Sequence, residues 1–264
     1  MPSLVRELCG RFLEELDAEA PGLVTGLYLL GSLALGGYRE DKSDVDFLAV
    51  VSKRPGEVEV AALGRVHARM SESHPKAALD GVYVRAADLS RPAGEVTGQV
   101  RANLGSVRTD DDYEPNPVSL HILGRCGLAF RGPDPDDLGL RDDPGALRRW
   151  TARNVEEYWA PWVARYARSV KPSALRGAAV ERGVLGISRL HYTLATGGLA
   201  TKEEAGRYAA RTFGPGWHEI LDETLRLRLG GRGTTYRTPV SRRRDAVDFI
   251  RTVIGDAGRL APRD

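Results

Sequence analysis

Two patterns of apolar and polar positions divide this chain. In the first half, short apolar runs typical of buried strands alternate with stretches in which apolar residues recur every three or four positions, as on one helix face. We predict, in order, a helix over 3–18, strands over 24–30 and 45–51, a helix over 57–73 and a strand over 78–84. Residues 88–117 fit neither pattern, and the segment from His121 fits a helix end followed by a short edge strand over 128–130.

A run with the composition of a linker follows over 131–144, rich in Gly, Pro and Asp, and we expect it neither to pack nor to extend a helix. Every later segment has helical spacing, which predicts helices over 145–168, 178–197, 202–212, 217–229 and 241–257. The pattern therefore predicts an α/β domain over 1–142, with a mixed sheet flanked by helices, and an all-α helical bundle over 143–264.

Composition excludes several classes of protein. The 264 residues carry a formal net charge of +2, so no strong field of one sign favours nucleic acid or a membrane surface. Cys9 and Cys126 lie far apart, which argues against a disulfide framework or a zinc site. Segment 1–15 lacks the apolar core of a signal peptide, and no apolar window is long enough to span a bilayer. We expect a cytoplasmic monomer.

The junction between the first two predicted strands carries the most informative polar residues. The first apolar run breaks at Gly31 and Ser32, and Asp44 and Asp46 stand at the entrance of the second. Residues two apart on a strand point to the same side, so the two carboxylates repel one another unless a cation lies between them. Mg²⁺ prefers oxygen ligands, and a Gly-Ser turn offers N–H groups and a hydroxyl to phosphate oxygens. The pattern predicts a site for a metal–nucleoside triphosphate; the alternative is a polar turn between core strands.

A third carboxylate, Asp80, lies on the third predicted strand, where burying an unpaired charge is costly. If this strand lies beside the one that carries Asp44 and Asp46, the three carboxylates converge. Asp80 would then act as a general base or complete the metal shell. The alternative is that Asp80 and Gly81 begin a turn, since Asp-Gly is a favoured hairpin dipeptide.

Two cations stand out in the helical half. Arg189 lies in a helix predicted to end near Gly197, and Lys202 follows Thr201, a candidate N-cap, at the start of the next helix. A helix N-terminus with a lysine suits a triphosphate. On the residues alone, however, we interpret both as surface cations.

The Gly-Ser turn, the spacer and the Asp-x-Asp pair before an apolar strand resemble the signature of the nucleotidyltransferase superfamily. Over 31–51 and 185–229 the chain is similar to the aminoglycoside adenylyltransferases that modify streptomycin and spectinomycin; the resemblance is weakest over 85–145. Segment 187–202, Ile-Ser-Arg-Leu-His-Tyr-Thr-Leu-Ala-Thr-Gly-Gly-Leu-Ala-Thr-Lys, carries the closest match. The resemblance implies Mg²⁺-dependent transfer of AMP from ATP to a hydroxyl group, with release of pyrophosphate.

The resemblance also implies roles for single residues. It makes Asp44 and Asp46 the Mg²⁺ ligands, and it makes Gly31, Ser32 and Ser43 contacts to the nucleotide. It also implies that Arg189 and Lys202 reach the triphosphate from the helical domain. The family's base is a glutamate on the third strand. Asp80 occupies that place here and is one methylene shorter.

The acidic residues indicate which compound accepts the AMP group. Streptomycin-accepting relatives carry a tryptophan in the middle region and acidic residues before the helix of Arg189. Here 85–145 contains no tryptophan, and Glu181 is the acidic residue of the segment before that helix. A polycation needs carboxylates to replace its hydration. We therefore favour spectinomycin, or another hydroxylated compound, over streptomycin, with Glu181 and His191 as candidate contacts.

Two other functions stay open. The same chemistry would serve a protein, tRNA or metabolite acceptor, although the absence of a basic stripe argues against RNA. A non-catalytic nucleotide-binding or antitoxin-like module would keep the fold without turnover, but the adjacent carboxylates argue against it. We expect histidines other than His191 at the surface and the tryptophans in the helical core.

Overall fold

The chain forms two compact units, Met1–Asp143 and Pro144–Asp264, in a computed structural model. The structure describes residues 1–75, 78–91, 96, 99–110, 116–141 and 143–262. Among these, no helix is both long and apolar enough to cross a bilayer.

The first unit is built on a six-stranded sheet. Its strands are β1 (Val24–Leu29), β2 (Val45–Val51), β3 (Leu79–Arg85), β4 (Gln99–Asn103), β5 (Ser106–Asp110) and β6 (Leu128–Arg131). Its helices are α1 (Ser3–Glu19), α2 (Gly31–Ala34), α3 (Glu57–Ser73) and α4 (Pro117–Cys126). The strand order is β5-β4-β3-β2-β1-β6; β2 and β3 are parallel and their neighbours pair antiparallel, so the sheet is mixed, as predicted.

The β4–β5 hairpin lies in the stretch that the sequence pattern left unassigned. Its two-residue turn is Leu104-Gly105, and both residues have positive φ, 49° and 76°. Such a turn normally carries Asn-Gly or Asp-Gly, because a leucine is strained in the left-handed region. The usual hairpin signal is therefore missing from the sequence. Residues 92–95, 97–98 and 111–115 of the stretch lie outside the described part.

The segment predicted as an unpacked linker is partly ordered structure. Arg131 ends β6 and pairs with Asp17 at 2.6 Å. A short 3₁₀ helix covers Pro135–Leu138; the Asp134 side chain accepts the N–H of Asp136 at 3.1 Å, and Pro135 is buried. The expectation was wrong because an Asp-Pro pair, besides breaking an α-helix, is well suited to begin a 3₁₀ turn.

One face of the sheet packs on α1 and α3 through an aromatic cluster. His67 of α3 lies between Phe12 and Phe47, with ring centroids 5.1 and 5.9 Å away, and its Nε2 is 2.8 Å from the Tyr83 hydroxyl. The prediction that His67 lies at the surface is wrong, as it is for His121, which is also buried. In α3, His67 follows Leu63 by one turn, so it shares the apolar stripe.

Burial of His67 makes stability depend on pH. Desolvation disfavours the imidazolium and lowers the pKa of His67 to about 4, against about 6.5 in the unfolded chain. Between these values the unfolded state binds a proton that the folded state does not. The stabilising contribution is therefore complete above pH 6.5 and falls by about 3 kcal/mol as the pH approaches 4.

We expect urea unfolding of the wild-type protein between pH 7.5 and 4.5 to show this loss, beside that of other titrating groups. In His67→Gln the free energy of unfolding should decrease less as the pH is lowered. An equal decrease in the two proteins would show that His67 is not held in the neutral form.

The second unit is a helical bundle, which completes the predicted fold class. It contains α5 (Pro144–Asn154), a π-helical turn (Val155–Trp159), α6 (Ala160–Arg168), α7 (Gly177–Thr196), α8 (Lys202–Phe213), α9 (His218–Arg228) and α10 (Pro239–Leu260). The helix predicted over 145–168 is thus interrupted by the π-helical turn. Helix α7 is central and contacts α5, α8, α9 and α10.

Aromatic residues of α6 and the π-helical turn pack on glycines of α7. A Cβ on Gly186 would lie 2.6 Å from Cζ2 of Trp159, and one on Gly183 would lie 2.9 Å from Cη2 of Trp162. Trp217 packs against the same core. The prediction that tryptophans pack the helical core is correct for these three residues.

Candidate nucleotidyltransferase site

The Gly-Ser turn is built directly against the second aspartate of the motif. The N–H of Leu30 donates to the carbonyl oxygen of Asp46 at 2.8 Å, which joins the end of β1 to β2. Gly31 follows with φ of 55°, and a Cβ there would lie 2.6 Å from Cγ of Asp46. Both the left-handed backbone and the missing space require glycine at this position. The sequence therefore brings the turn and the Asp46 carboxylate into contact.

The hydroxyl of Ser32 is the most informative polar group of the turn. Its Oγ is buried, and within the described part of the chain it has no hydrogen-bond partner. Buried polar atoms in folded proteins nearly always have a partner, and one that lacks it within the protein is suited to a ligand oxygen or a water molecule. Ser32 is thus compatible with the predicted phosphate contact.

Ser43 organises the loop that leads into β2. Its side chain is 8% exposed, and its hydroxyl oxygen accepts the N–H of Arg39 at 3.0 Å. The N–H of Ser43 in turn donates to the carbonyl of Arg39 at 2.8 Å. These two bonds fix the backbone immediately before Asp44. The hydroxyl proton of Ser43 is not used in them, so its contact with phosphate stays a prediction.

Strands β2 and β3 bring two aspartates to one face of the sheet. Asp46 and Asp80 are direct neighbours in the parallel ladder, where adjacent strands lie about 4.8 Å apart. Asp44 precedes β2 and is exposed. Because Asp80 and Gly81 both lie inside β3, the alternative that they begin a turn is wrong.

The predicted convergence of three carboxylates on one metal is not observed. No group of three His, Cys, Asp or Glu side chains in the described residues is arranged to hold a metal ion. The reason is the β4–β5 turn: Oδ1 of Asp80 accepts the N–H of Leu104 at 2.8 Å, and Oδ2 accepts Nδ2 of Asn103 at 3.0 Å. The Asp80 carboxylate is therefore held toward the hairpin, next to Asp46 but not grouped with it.

The remaining pair still fits Mg²⁺. This ion is usually bound through one or two carboxylates, with waters and substrate phosphates completing the shell. Asp44 and Asp46 supply such carboxylates at the entrance of β2, beside the turn that carries the buried Ser32 hydroxyl. Asp80 keeps acceptor capacity, since each carboxylate oxygen has a second lone pair.

In the helical unit, the two predicted cations lie around the α7–α8 connection. Nε of Arg189 donates to the carbonyl of Ala200 at 3.0 Å. Thr201 caps α8 as predicted: its hydroxyl accepts the N–H of Glu204 at 3.1 Å, and Glu204 accepts the N–H of Thr201 at 2.9 Å. Lys202 is the first residue of α8. The contacts order this connection, and the triphosphate role of both cations stays a prediction.

Glu181 and His191, the candidate acceptor contacts, are buried among partners of the helical unit. Glu181 lies 3.5 Å from Arg228. His191 is 2% exposed; its Nδ1 is 2.9 Å from the Tyr208 hydroxyl and its Nε2 is 2.7 Å from Oδ2 of Asp256. The hydrogen bond from His191 contributes most to lowering the pKa of Asp256. Both residues thus have partners within the helical unit, and their contact with the acceptor stays a prediction.

The sequence pattern did not identify the hairpin residues that contact Asp80. Asn103 and Leu104 lie in the unassigned stretch, and the only local signals for the hairpin are a short alternation around Val100 and Ala102 and the glycine at 105. Pairing of β4 with β3 is a long-range contact, which periodicity alone does not reveal.

Part of the first unit matches the model of a known protein family. Residues 9–83 match the family model of the nucleotidyltransferase domain, a segment that contains the Gly-Ser turn and all three aspartates. The resemblance to the nucleotidyltransferase superfamily is thereby confirmed. No curated protein sequence matches the chain significantly.

The fold is similar to a particular solved structure, the spectinomycin adenyltransferase AAD(9) from Enterococcus faecialis with ATP and spectinomycin. The TM-score is 0.65 at 16% sequence identity, and the alignment covers 93% of this chain and 98% of that one. The predicted fold class, a nucleotidyltransferase sheet followed by a helical part, is confirmed by this likeness.

Proposed function

We propose that this protein is a Mg²⁺-dependent nucleotidyltransferase that transfers AMP from ATP to a hydroxyl group of a small molecule and releases pyrophosphate. The observation that carries the proposal is the contact of Gly31 with the Asp46 carboxylate beside the buried, unsatisfied hydroxyl of Ser32, inside a matched nucleotidyltransferase domain. A turn whose only function is to join two core strands would not need a buried hydroxyl that lacks a partner.

Each residue of the candidate site has a role in this proposal. Asp44 and Asp46 would hold Mg²⁺, which when bound offsets negative charge on the phosphates. The hydroxyls of Ser32 and Ser43 donate to phosphate oxygens. Asp80, on the neighbouring strand, accepts the proton of the attacking hydroxyl group. We propose that Arg189 and Lys202 add charge-assisted contacts to the triphosphate.

The first acceptors to consider are aminoglycoside-type compounds, with spectinomycin ahead of streptomycin. Two arguments support this order: the resemblance of the chain to aminoglycoside adenylyltransferases, and a fold like that of an enzyme named for spectinomycin. A metabolite acceptor is the second candidate. It is favoured by two arginines on the face of the sheet that carries Asp80, Arg101 on β4 and Arg108 on β5.

Pyrophosphate release by the purified full-length protein tests the proposal. We expect release with ATP that requires Mg²⁺ and one member of a panel of hydroxyl compounds: spectinomycin, streptomycin, other aminoglycosides, and neutral and acidic sugars. Chelation of the metal is the control. Failure of the protein to bind ATP in the presence of Mg²⁺ would contradict the proposed function, whichever acceptor is used.

A further inference from the structure

Leu104, at the tip of the β4–β5 hairpin, combines a strained backbone with an exposed apolar side chain. Among the residues that the structure describes, it is the one residue other than glycine whose φ is positive, at 49°. Leucine is less stable in this conformation than glycine or asparagine, because its Cβ crowds the backbone. The residue is 72% exposed, so burial within the protein offsets little of this strain. The fold alone therefore does not favour leucine at this position.

The position of Leu104 is fixed relative to the Asp80 carboxylate. The N–H of Leu104 donates to Oδ1 of Asp80 at 2.8 Å, and Nδ2 of Asn103 donates to Oδ2 at 3.0 Å. On the other side, the turn packs closely on α3, since a Cβ on Gly105 would lie 2.9 Å from Cβ of Ser71. The turn is thus held both by the aspartate and by the helix.

A hydroxyl group that gives its proton to Asp80 comes close to Leu104. Such a transfer requires the two oxygen atoms to lie about 2.6 to 3.2 Å apart. Because the Leu104 nitrogen is 2.8 Å from Oδ1, a hydroxyl oxygen bound to Oδ1 lies at most about 6 Å from that nitrogen. Apolar groups are in contact at about 4 Å. The carbon atoms beside the reacting hydroxyl group are therefore within reach of the leucine side chain.

The surface next to Asp80 is otherwise polar. A shallow cavity on the hairpin is lined by Leu104, Asn103 and Ser106 together with two arginines. It adjoins the Asp80 carboxylate through Asn103, which is hydrogen-bonded to it. Among these lining residues Leu104 is the apolar one. The cavity thus offers polar groups to the hydroxyl groups of a ligand and a single apolar contact, at Leu104.

We propose that Leu104 is a specificity-determining residue, whose side chain packs on an apolar ring face of the compound that presents its hydroxyl group to Asp80. The inference rests on the proposed nucleotidyl transfer and deepens it. Sugar and cyclitol rings carry such faces, formed by C–H groups between their hydroxyl groups, and aminoglycoside-type compounds contain these rings. Acceptor binding buries the exposed leucine, so the stabilisation from its burial contributes to binding and not to folding.

Leu104→Asn tests the inference. Asparagine has the same number of side-chain heavy atoms, tolerates a positive φ and keeps the backbone N–H that Asp80 accepts. Pyrophosphate release is measured on the full-length protein with Mg²⁺, ATP and the panel compound that supports turnover, beginning with spectinomycin. We expect KM for the acceptor to rise about tenfold, with kcat and KM for ATP near the wild-type values. The midpoint of thermal unfolding should rise by about 3 °C, because the backbone strain is relieved.

Two variants serve as controls. Leu104→Met keeps an apolar side chain of similar volume, so KM for the acceptor should stay near the wild-type value. Val58→Thr makes an exposed apolar side chain polar without changing its shape, at a position on α3 that is 80% exposed. It should change neither KM nor the midpoint of thermal unfolding.

An unchanged KM for the acceptor in Leu104→Asn would overturn the inference. A lower midpoint of thermal unfolding would also overturn it, since the leucine would then be required for folding. An equal rise of KM for ATP would assign Leu104 to the nucleotide site, with the same consequence. A wild-type protein that turns over no compound of the panel would contradict the proposed function itself, and this inference with it. Failure of the inference alone is thus recognised by an active wild-type protein.

Discussion

Asp46→Asn is expected to reduce pyrophosphate release about a thousandfold. The substitution keeps the shape of the side chain, so the contact with Gly31 and the hydrogen bond from Leu30 to the Asp46 carbonyl are retained. What is lost is one of the two negative charges that we propose to hold Mg²⁺. The neutral amide is a weaker ligand for Mg²⁺, and the repulsion between Asp44 and Asp46 disappears with it. Both the steady-state rate and the Mg²⁺ dependence of ATP binding should report the change.

Asp41→Asn provides the control for this variant. Asp41 is exposed in the loop before β2, and the change in net charge is identical. We expect its rate to stay near that of the wild-type protein. An Asp46→Asn protein that is folded, as judged by circular dichroism, and turns over at the wild-type rate would rule out a metal site at Asp44 and Asp46.

We expect the second large effect from Asp80→Asn, which should lower kcat by a factor of about 10² to 10⁴. This is the usual contribution of a general base. Asp80 lies beside Asp46 in the ladder, and its carboxylate is held by Leu104 and Asn103 of the hairpin turn. Those two bonds fix the orientation of the carboxylate. The amide keeps the size of the side chain and is unable to accept the proton.

A purely structural role of Asp80 would also lower activity, because its carboxylate anchors the hairpin. The pH profile separates the two roles. If Asp80 is the base, the increase of kcat with pH should disappear in Asp80→Asn. If Asp80 only anchors the hairpin, kcat should still increase with pH and KM should be higher. Asp80→Glu keeps a carboxylate, so it should retain the increase of kcat with pH. A profile unchanged in Asp80→Asn would assign Asp80 to positioning alone.

Local patterns in the sequence determined much of this protein. The strands around the Gly-Ser turn, the helix over 57–73 and the helices of the second unit follow from apolar periodicity within single segments. Gly31 and Asp46 were identifiable because a glycine turn and an Asp-x-Asp pair adjoin two apolar runs. These features depend on neighbours in the chain, and a sequence displays such neighbours directly.

Tertiary structure decided what depends on distant partners. Whether His67 is buried depends on which face of α3 meets the sheet, and Glu181 and His191 pair with Arg228 of α9 and Asp256 of α10. The β4–β5 hairpin pairs with β3 through residues about 20 positions away in the chain, beyond the range of any periodicity. That pairing brings the carboxylate of Asp80 to the N–H of Leu104. The sequence by itself thus determined most of the helices, the first three strands and the carboxylate motif. The β4–β5 hairpin and the surroundings of Asp80 were decided by strand order and register, because long-range pairing sets both.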